Sequence, residues 1–464
     1  MRFEEMFKNK RVILLGVGVS NMPLAQNLCR GGALLEIRDR KTEEQLGEKA
    51  ELLKSMGARL VLGEEYLSSM EADYIFRSPG FRPDLPVLTE AVKNGAVLTS
   101  EIELFLEMCP APVIGVTGSD GKSTTTTIIS KILEASGKKT FLGGNIGEPL
   151  LHRVDDMDEN CVIAAELSSF QLITVKAPVT VGVIKNVTPN HLNWHTGMEE
   201  YIEAKANILK GCKTAVLNYD DEVCRKLSER CHCQIVWFSR TPIPHSFLDD
   251  YRGGVYIDNG YIVHYDSEKG SEEKMISCQS IMIPGEHNAE NYATAVAATL
   301  DFANKEAPAH VAETFGGVHH RFETVRRLNG VTYYNSSIDS SPTRTAAAIS
   351  SLKCPVNIIC GGYDKNIPFE PLAEALIAHG RIKTVTLTGA TAEKIEKAIT
   401  SHPLFAQSGI KLAVKKDFKE AVLCASENAE VGDAVLLSPA CASFDCFENF
   451  EKRGERFCEI VESL

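Results

Sequence analysis

A three-domain α/β protein is predicted, on three observations. Short apolar, β-branched runs alternate with helix-length segments along the whole chain. At 464 residues the chain is too long for one compact core. Finally, the run Gly115-Val-Thr-Gly-Ser-Asp-Gly-Lys-Ser-Thr124 follows a strand-like segment, Pro112 to Val116, and leads into a helix. Glycines there let backbone N–H groups turn toward anionic oxygens, Lys122 supplies a mobile positive charge, and a Ser or Thr hydroxyl can complete a magnesium shell. Only two residues separate Gly118 from Gly121, so this is a variant of the strict phosphate-loop spacing.

The first domain, 1–108, reads as strand Arg11 to Leu15, a helix from Ser20, strand Leu34 to Arg38, and a helix near Thr42 to Met56. This is a Rossmann-like, nucleotide-binding type of parallel sheet. Its first turn carries Gly16 and Gly18, and Asp39 ends the second strand where a ribose-binding acid would stand. Asn21 occupies the third glycine position and is expected to crowd the helix against the strand. Arg77-Ser78-Pro79-Gly80 follows the strand-like Tyr74-Ile-Phe and makes a rigid turn able to close over a ligand.

The second domain, 109–317, is a phosphate-loop ATPase unit. Strands are expected at Cys161 to Ala165, Val179 to Ile184, Ala215 to Leu217 and Ile235 to Phe238, with a hairpin turning at Asp258-Asn259-Gly260. A helix is expected over Met198 to Leu209 and another, rich in alanine, over Asn288 to Leu300. The third domain, 318–464, is again Rossmann-like, with strands at Val356 to Ile359, Val385 to Leu387 and Ala434 to Leu437.

Composition narrows the function. A net charge of −13 argues against a nucleic-acid or acidic-membrane partner. The start of the chain does not read as a secretory signal, and no apolar stretch reaches spanning length, so membrane insertion is not expected. Fourteen scattered cysteines fit a reduced, cytoplasmic protein. Cys212, Cys224, Cys231 and Cys233 lie within a short region, but without paired CxxC knuckles buried thiols are favoured over zinc.

Candidate site residues lie at expected strand ends. Glu166 follows an apolar strand beside the phosphate loop, where a magnesium ligand belongs. His191 and Lys205, taken alone, read as a polar loop residue and a solvated helix residue.

Their combination with other motifs changes that. The chain resembles the ATP-dependent muramyl ligases that build the peptide of the bacterial cell-wall precursor, and among them the D-glutamate-adding branch. The resemblance covers essentially the whole length. It rests on the loop Gly118 to Ser123, Gly143-Gly-Asn-Ile-Gly147, Glu166-Leu-Ser-Ser-Phe-Gln171, Asn186 to His191, and Tyr201 to Lys205. It continues through Gly285-Glu-His-Asn288 with Asn291, His320-Arg321, Gly361-Gly-Tyr-Asp-Lys365, and the segment from Ser438 to Phe450.

The resemblance implies ligation of D-glutamate to UDP-N-acetylmuramoyl-L-alanine, and it implies a role for each matched position. Gly118, Ser119, Asp120, Gly121, Lys122, Ser123, Thr124, Asn288, Asn291, Arg321 and Asp339 would bind ATP. Gly18, Val19, Ser20, Asp39, Arg40, Ser78, Pro79, Gly80, Asn145 and His191 would hold the uridine nucleotide substrate. Lys365, Ser443, Asn449 and Phe450 would bind D-glutamate. Ser123 and Glu166 would hold a first magnesium ion; His191 and a carbamylated Lys205 would hold a second. Lys122, His191 and Lys205 would carry the chemistry, and a monomer is the default expectation.

Two departures from the family pattern stand out. Ser119-Asp120 replaces Thr-Asn, and Asn335-Ser336-Ser337-Ile-Asp339 replaces Asn-Asp-Ser, which leaves open whether Asp339 takes the acid's place. Other ligases of the family, including the folate-glutamylating relatives, are the near alternatives. An NAD-dependent oxidoreductase, suggested by Gly16, Gly18 and Asp39, is the distant one.

Overall fold

The computed structural model describes residues 3–18, 21–365 and 367–464. They gather into two compact units, one running to Ser280 and including Ala289–Ala312, the other comprising Ile281–Asn288 and Glu313–Leu464.

The first unit holds two sheets. Strands β1 (Arg11–Leu15), β2 (Leu34–Asp39), β3 (Arg59–Leu62), β4 (Tyr74–Arg77) and β5 (Val97–Thr99) form a parallel sheet in the order β3-β2-β1-β4-β5. The helix expected over Thr42 to Met56 is broken at Gly47 into Glu43–Leu46 and Glu48–Ser55. Gly47 has φ 54°, a left-handed conformation that glycine alone adopts cheaply, so it ends one helix and starts the next.

The second sheet contains β6 (Val113–Thr117), β7 (Thr140–Gly144), β8 (Val162–Glu166), β9 (Val181–Ile184), β10 (Thr214–Asn218), β11 (Gln234–Ser239), β12 (Gly253–Asp258), β13 (Tyr261–Asp266) and β14 (Ser271–Ser277). Its order is β14-β13-β12-β11-β10-β9-β6-β8-β7, parallel from β7 to β12 and antiparallel beyond. Every residue of β6, β8, β9 and β10 is buried, as expected of parallel strands covered on both faces. The expected hairpin turns at Asn259, whose φ of 46° suits a tight primed turn.

In the second unit, β15 (Glu323–Leu328), β16 (Val331–Asn335), β17 (Val356–Cys360), β18 (Ile382–Leu387), β19 (Lys411–Val414) and β20 (Ala434–Leu437) are ordered β15-β16-β20-β17-β18-β19. Only the β15–β16 pair is antiparallel. In the first two sheets the strand order reverses about β1 and β6, and in the third the last strand, β20, is inserted between β16 and β17. The crevice past the carboxyl ends of such strands is where α/β sheets bind ligands.

Within the first unit the two sheets are tied by buried polar groups. The Arg77 guanidinium donates to the carbonyls of Phe81 at 2.6 Å and Phe170 at 3.1 Å. Glu101 and Glu103 begin the helix Glu101–Met108, capped by Ser100. Glu101 Oε1 accepts the Leu151 N–H at 2.6 Å, while Glu103 Oε2 is buried with no hydrogen-bond partner among the described residues. Burial pushes both carboxyls up to about 7.

The folded chain therefore keeps protons that the unfolded chain releases above about pH 4.5, the ordinary value of the group. Stability is fully present below that pH and is lost as pH rises through about 7. Glu103→Gln removes the cost of a buried charge. We expect the variant to be more stable than the parent at pH 8, by on the order of 1–2 kcal/mol, and equal to it near pH 4.5. Thermal denaturation at the two pH values checks this.

Candidate active site

The phosphate loop leaves β6 and ends at the N-terminus of the helix Lys122–Ala135. Its shape is set from behind by Asn186, whose Oδ1 accepts the N–H groups of Ser119 at 3.0 Å and Asp120 at 2.9 Å. Ser119 Oγ lies 3.0 Å from the Tyr201 hydroxyl. Gly121 has φ 77°, and a Cβ there would lie 2.7 Å from Asn291 Oδ1. Ser123 is buried in the helix's first turn; Thr124 beside it is half-buried.

Lys122 and Lys205 converge on one oxygen. Lys122 Nζ donates to the Gly118 carbonyl at 3.0 Å and the Ser119 carbonyl at 2.9 Å. Lys205 Nζ donates to the same Gly118 carbonyl at 2.6 Å. Lys205 is 1% exposed, unlike the solvated helix lysine that its position taken alone suggests. Burial and the neighbouring Lys122 charge lower its pKa to about 7. A substantial fraction of the amine is therefore neutral at physiological pH.

Glu166 ends β8 beside the loop and is 1% exposed. Asn145 Nδ2 donates to its Oε1 at 2.8 Å, and Oε2 is buried without a hydrogen-bond partner among the described residues. Gly144, at φ 95°, lets the chain before Asn145 press on β8; a Cβ there would meet the Glu166 carbonyl oxygen at 2.3 Å. His191 also takes a left-handed φ, 55°, and its ring packs edge-on against Phe170 at 4.8 Å. Partial burial, then the charges of Lys122 and Lys205, lower its pKa and favour the neutral imidazole.

No cluster of three His, Cys, Asp or Glu side chains suited to a metal occurs among the described residues. Glu166, the Ser123 hydroxyl and the imidazole fit magnesium only if substrate phosphates complete the shell, which is the usual way magnesium is bound. The orphaned Glu166 oxygen is the observation that favours such an ion. In the cysteine-rich segment, Cys212 Sγ lies 3.5 Å from Cys233 Sγ, and all fourteen cysteines are free.

Toward the first sheet, Arg82 pairs with Glu200 at 2.9 Å and donates to the Trp194 carbonyl at 2.8 Å. The Trp194 indole donates to the Gly80 carbonyl at 3.0 Å, and buried His195 bonds Glu200 and Ser169. The turn Ser78-Pro79-Gly80 is thereby joined to the loop that carries His191. Asn21 does not crowd its helix, contrary to expectation: its Nδ2 donates to the Gly16 carbonyl at 2.8 Å and to Ser78 Oγ at 3.0 Å. Asp39 spends its carboxylate on the N–H groups of Val17 and Lys41, while Gly18 and Arg40 are exposed. Val19 and Ser20 lie outside the described residues.

In the second unit, Asp339 is buried, and its Oδ2 accepts from Ser438 Oγ at 2.8 Å. Burial raises its pKa, opposed in part by Arg344 and Arg321. Asn288 donates to the Pro284 carbonyl at 2.6 Å near the start of the helix Glu286–Thr299. Lys365 is exposed, and its Nζ lies 3.5 Å from Ser340 Oγ. Asn449 caps the last helix by accepting the Lys452 N–H at 2.8 Å, and the Phe450 carbonyl accepts from Ser337 Oγ at 2.8 Å. Ser443 is buried in a segment held by Arg453, which donates to the carbonyls of Ala442, Cys441 and Ser337. Sequence reasoning missed Lys185, Arg82, Ser340 and Arg453. A lysine closing an apolar strand was the one available signal, at Lys185.

The Mur ligase middle domain family matches residues 116–299, and the Mur ligase glutamate ligase domain family matches residues 320–441. A UDP-N-acetylmuramoylalanine–D-glutamate ligase of Ruminiclostridium cellulolyticum is 45% identical, over 100% of this chain and 98% of its own. The chain belongs to the Mur ligase family. A ligase of the same name from Clostridium novyi is 42% identical with the same coverage. Among solved structures, the UDP-N-acetylmuramate-alanine ligase of Thermotoga maritima matches with a TM-score of 0.58 at 16% identity, over 98% of this chain and 100% of its own. A UDP-N-acetylmuramoyl-L-alanyl-D-glutamate–2,6-diaminopimelate ligase matches at 0.56 and 16%, over 99% and 94%. These structural likenesses speak to the three-sheet α/β fold. Mur ligases form amide bonds at the expense of ATP.

A buried carboxylate with one unpartnered oxygen costs stability in the absence of a ligand. Glu166→Gln is therefore expected to raise the melting temperature of the ligand-free protein by a few degrees, measured by thermal denaturation.

Proposed function

We propose that this Mur ligase joins D-glutamate to UDP-N-acetylmuramoyl-L-alanine, with ATP hydrolysed to ADP and phosphate. The names of its full-length relatives support the choice of substrates. The observation that carries the chemistry is the convergence of Lys122 and Lys205 on the Gly118 carbonyl, beside buried Glu166 at the end of the adjacent strand.

A carboxylate is a poor electrophile, so it first attacks the γ-phosphorus of ATP. ADP leaves and an acyl phosphate forms. The free amine of D-glutamate then adds to the acyl carbon, and the tetrahedral intermediate expels phosphate as the amide forms. Lys122 would offset charge where two anions meet, and Asn186, by accepting the Ser119 and Asp120 N–H groups from behind, would hold the loop in the shape that presents its remaining N–H groups to the phosphates. Magnesium ions, when bound, would neutralise the same charge. Ser123 and Glu166 would hold one, and His191 with carbamylated Lys205 the other. The neutral Lys205 amine would add to carbon dioxide, forming an N–C bond and releasing a proton to water; the product is an oxygen donor where an ammonium was not.

Gly18, Arg40, Asp39, Ser78 to Gly80 and Asn145 are assigned to the uridine nucleotide substrate. Asn288, Asn291, Arg321 and Asp339 are assigned to ATP. We assign D-glutamate to Lys365, Ser443, Asn449 and Phe450, with Ser340 added because it lies beside Lys365. Asn449 would contribute through its backbone or after release of its cap. The domain spans 1–108, 109–317 and 318–464 each enclose one sheet. Among the described residues no helix is long and apolar enough to cross a membrane. With ATP as substrate and its thiols free, we place the enzyme in the cytoplasm.

Phosphate release should require ATP, magnesium, UDP-N-acetylmuramoyl-L-alanine and D-glutamate together. Release with L-glutamate, L-alanine, L-lysine or D-alanyl-D-alanine in place of D-glutamate would contradict the assignment. Lys122→Ala should abolish ADP formation, on the order of a thousandfold, with an unchanged melting temperature. Incubation with ¹³C-bicarbonate should give one carbamate resonance that is absent from Lys205→Ala.

A further inference from the structure

Lys185 takes no part in the chemistry above, yet it sits directly behind the phosphate loop. It follows β9, precedes Asn186 and is 1% exposed. A Cβ at Gly118 would lie 2.9 Å from Lys185 Cβ, and one at Gly121 would lie 3.0 Å from Lys185 Cε, so its stem fills the space under both loop glycines. Its Nζ donates to Asn291 Oδ1 at 2.7 Å and Thr294 Oγ1 at 3.3 Å, and lies 3.2 Å from Glu290 Oε1. Arg240 bonds the other Glu290 oxygen. Thr125, on the phosphate-loop helix, also donates to Asn291 Oδ1, at 3.2 Å.

Stability does not account for this arrangement. A buried ion pair is commonly no better than well-packed apolar residues of the same volume. What a lysine adds is a demand: an ammonium only donates, so the Asn291 carboxamide must turn its oxygen toward Nζ and its NH₂ edge away. Burial lowers the Lys185 pKa to about 8, opposed by Glu290, so the ammonium form still prevails at pH 7. The Glu290 carboxyl, despite its own burial, is held below its ordinary value by Lys185 and Arg240.

We propose that Lys185, anchored by Glu290, is a positioning residue for ATP that locks the Asn291 carboxamide and the Gly118–Gly121 loop into one register. The inference rests on the assignment of that loop and Asn291 to ATP.

The test compares the parent with Lys185→Met, which keeps the stem and removes the donor, and with Glu290→Gln, which removes the anchoring charge. ADP binding with magnesium is measured by calorimetry, alongside KM for each substrate, kcat and melting temperature. Lys185→Met is expected to weaken ADP binding and raise KM for ATP by about tenfold, a loss typical of one buried charge-assisted contact. Its kcat and its KM for the other two substrates should stay within twofold. Glu290→Gln should shift the same two quantities in the same direction by a smaller factor, and it decides the matter if Lys185→Met does not fold. ADP affinity within twofold of the parent in the folded variants would overturn the inference. So would a joint fall of all kinetic constants with the melting temperature, which marks a general structural role. A parent that neither binds ADP nor releases phosphate would instead overturn the functional assignment itself.

Discussion

Two lysine side chains share the Gly118 carbonyl oxygen, and much of the site follows from that. Two ammonium groups cannot sit on one acceptor without mutual repulsion, and the one more deeply buried yields. Lys205 is that one, and its amine beside the loop is in part neutral at pH 7. Lys122 is only half-buried. Partial burial first, and then the neighbouring lysines, lower the His191 pKa as well. One local geometry thus lowers the pKa of two basic groups, Lys205 and His191, beside the loop.

The arrangement is possible because of where the strands stop. β6, β8 and β9 are adjacent and parallel, and at their carboxyl ends stand the loop, Glu166 and the Lys185-Asn186 pair. The backbone there is packed closely enough that Gly118, Gly121 and Gly144 leave no room for a Cβ. The loop glycines are therefore required by Lys185 and Asn291 behind them, and an anion bound in front, as proposed, would require them a second time. In the second unit, Asp339 and Ser438 follow β16 and β20 and bond to each other, and Arg453 fastens the segment that carries Ser443.

Much of this was legible in the sequence, because apolar strands and glycine-rich turns are local signals. β1, β6, β17 and β20 fall within a residue of where their patterns place them, and the phosphate loop is unmistakable. The edge strands β3, β7, β14, β15 and β19 were not foreseen, since half-exposed runs such as Ser271–Ser277 carry no apolar pattern. Roles that depend on a distant partner were also invisible. Taken alone Lys205 reads as a surface lysine; only the resemblance singled it out, and its carbonyl acceptor lies 87 positions earlier. Asn21 read as an obstacle until Ser78 was seen to receive its amide. Within the motif from Glu166 to Gln171, Ser168 and Gln171 form a capping box, so part of that signature belongs to the helix and not to the ligand.

The proposed reaction requires that this site activate a carboxylate by phosphorylating it. The most direct measurement uses UDP-N-acetylmuramoyl-L-alanine labelled with ¹⁸O in its carboxyl group, turned over with ATP and D-glutamate, with the released phosphate analysed by mass spectrometry. Attack of the carboxylate on the γ-phosphorus predicts one ¹⁸O in every phosphate released during ligation. Unlabelled phosphate alongside the new amide would contradict it.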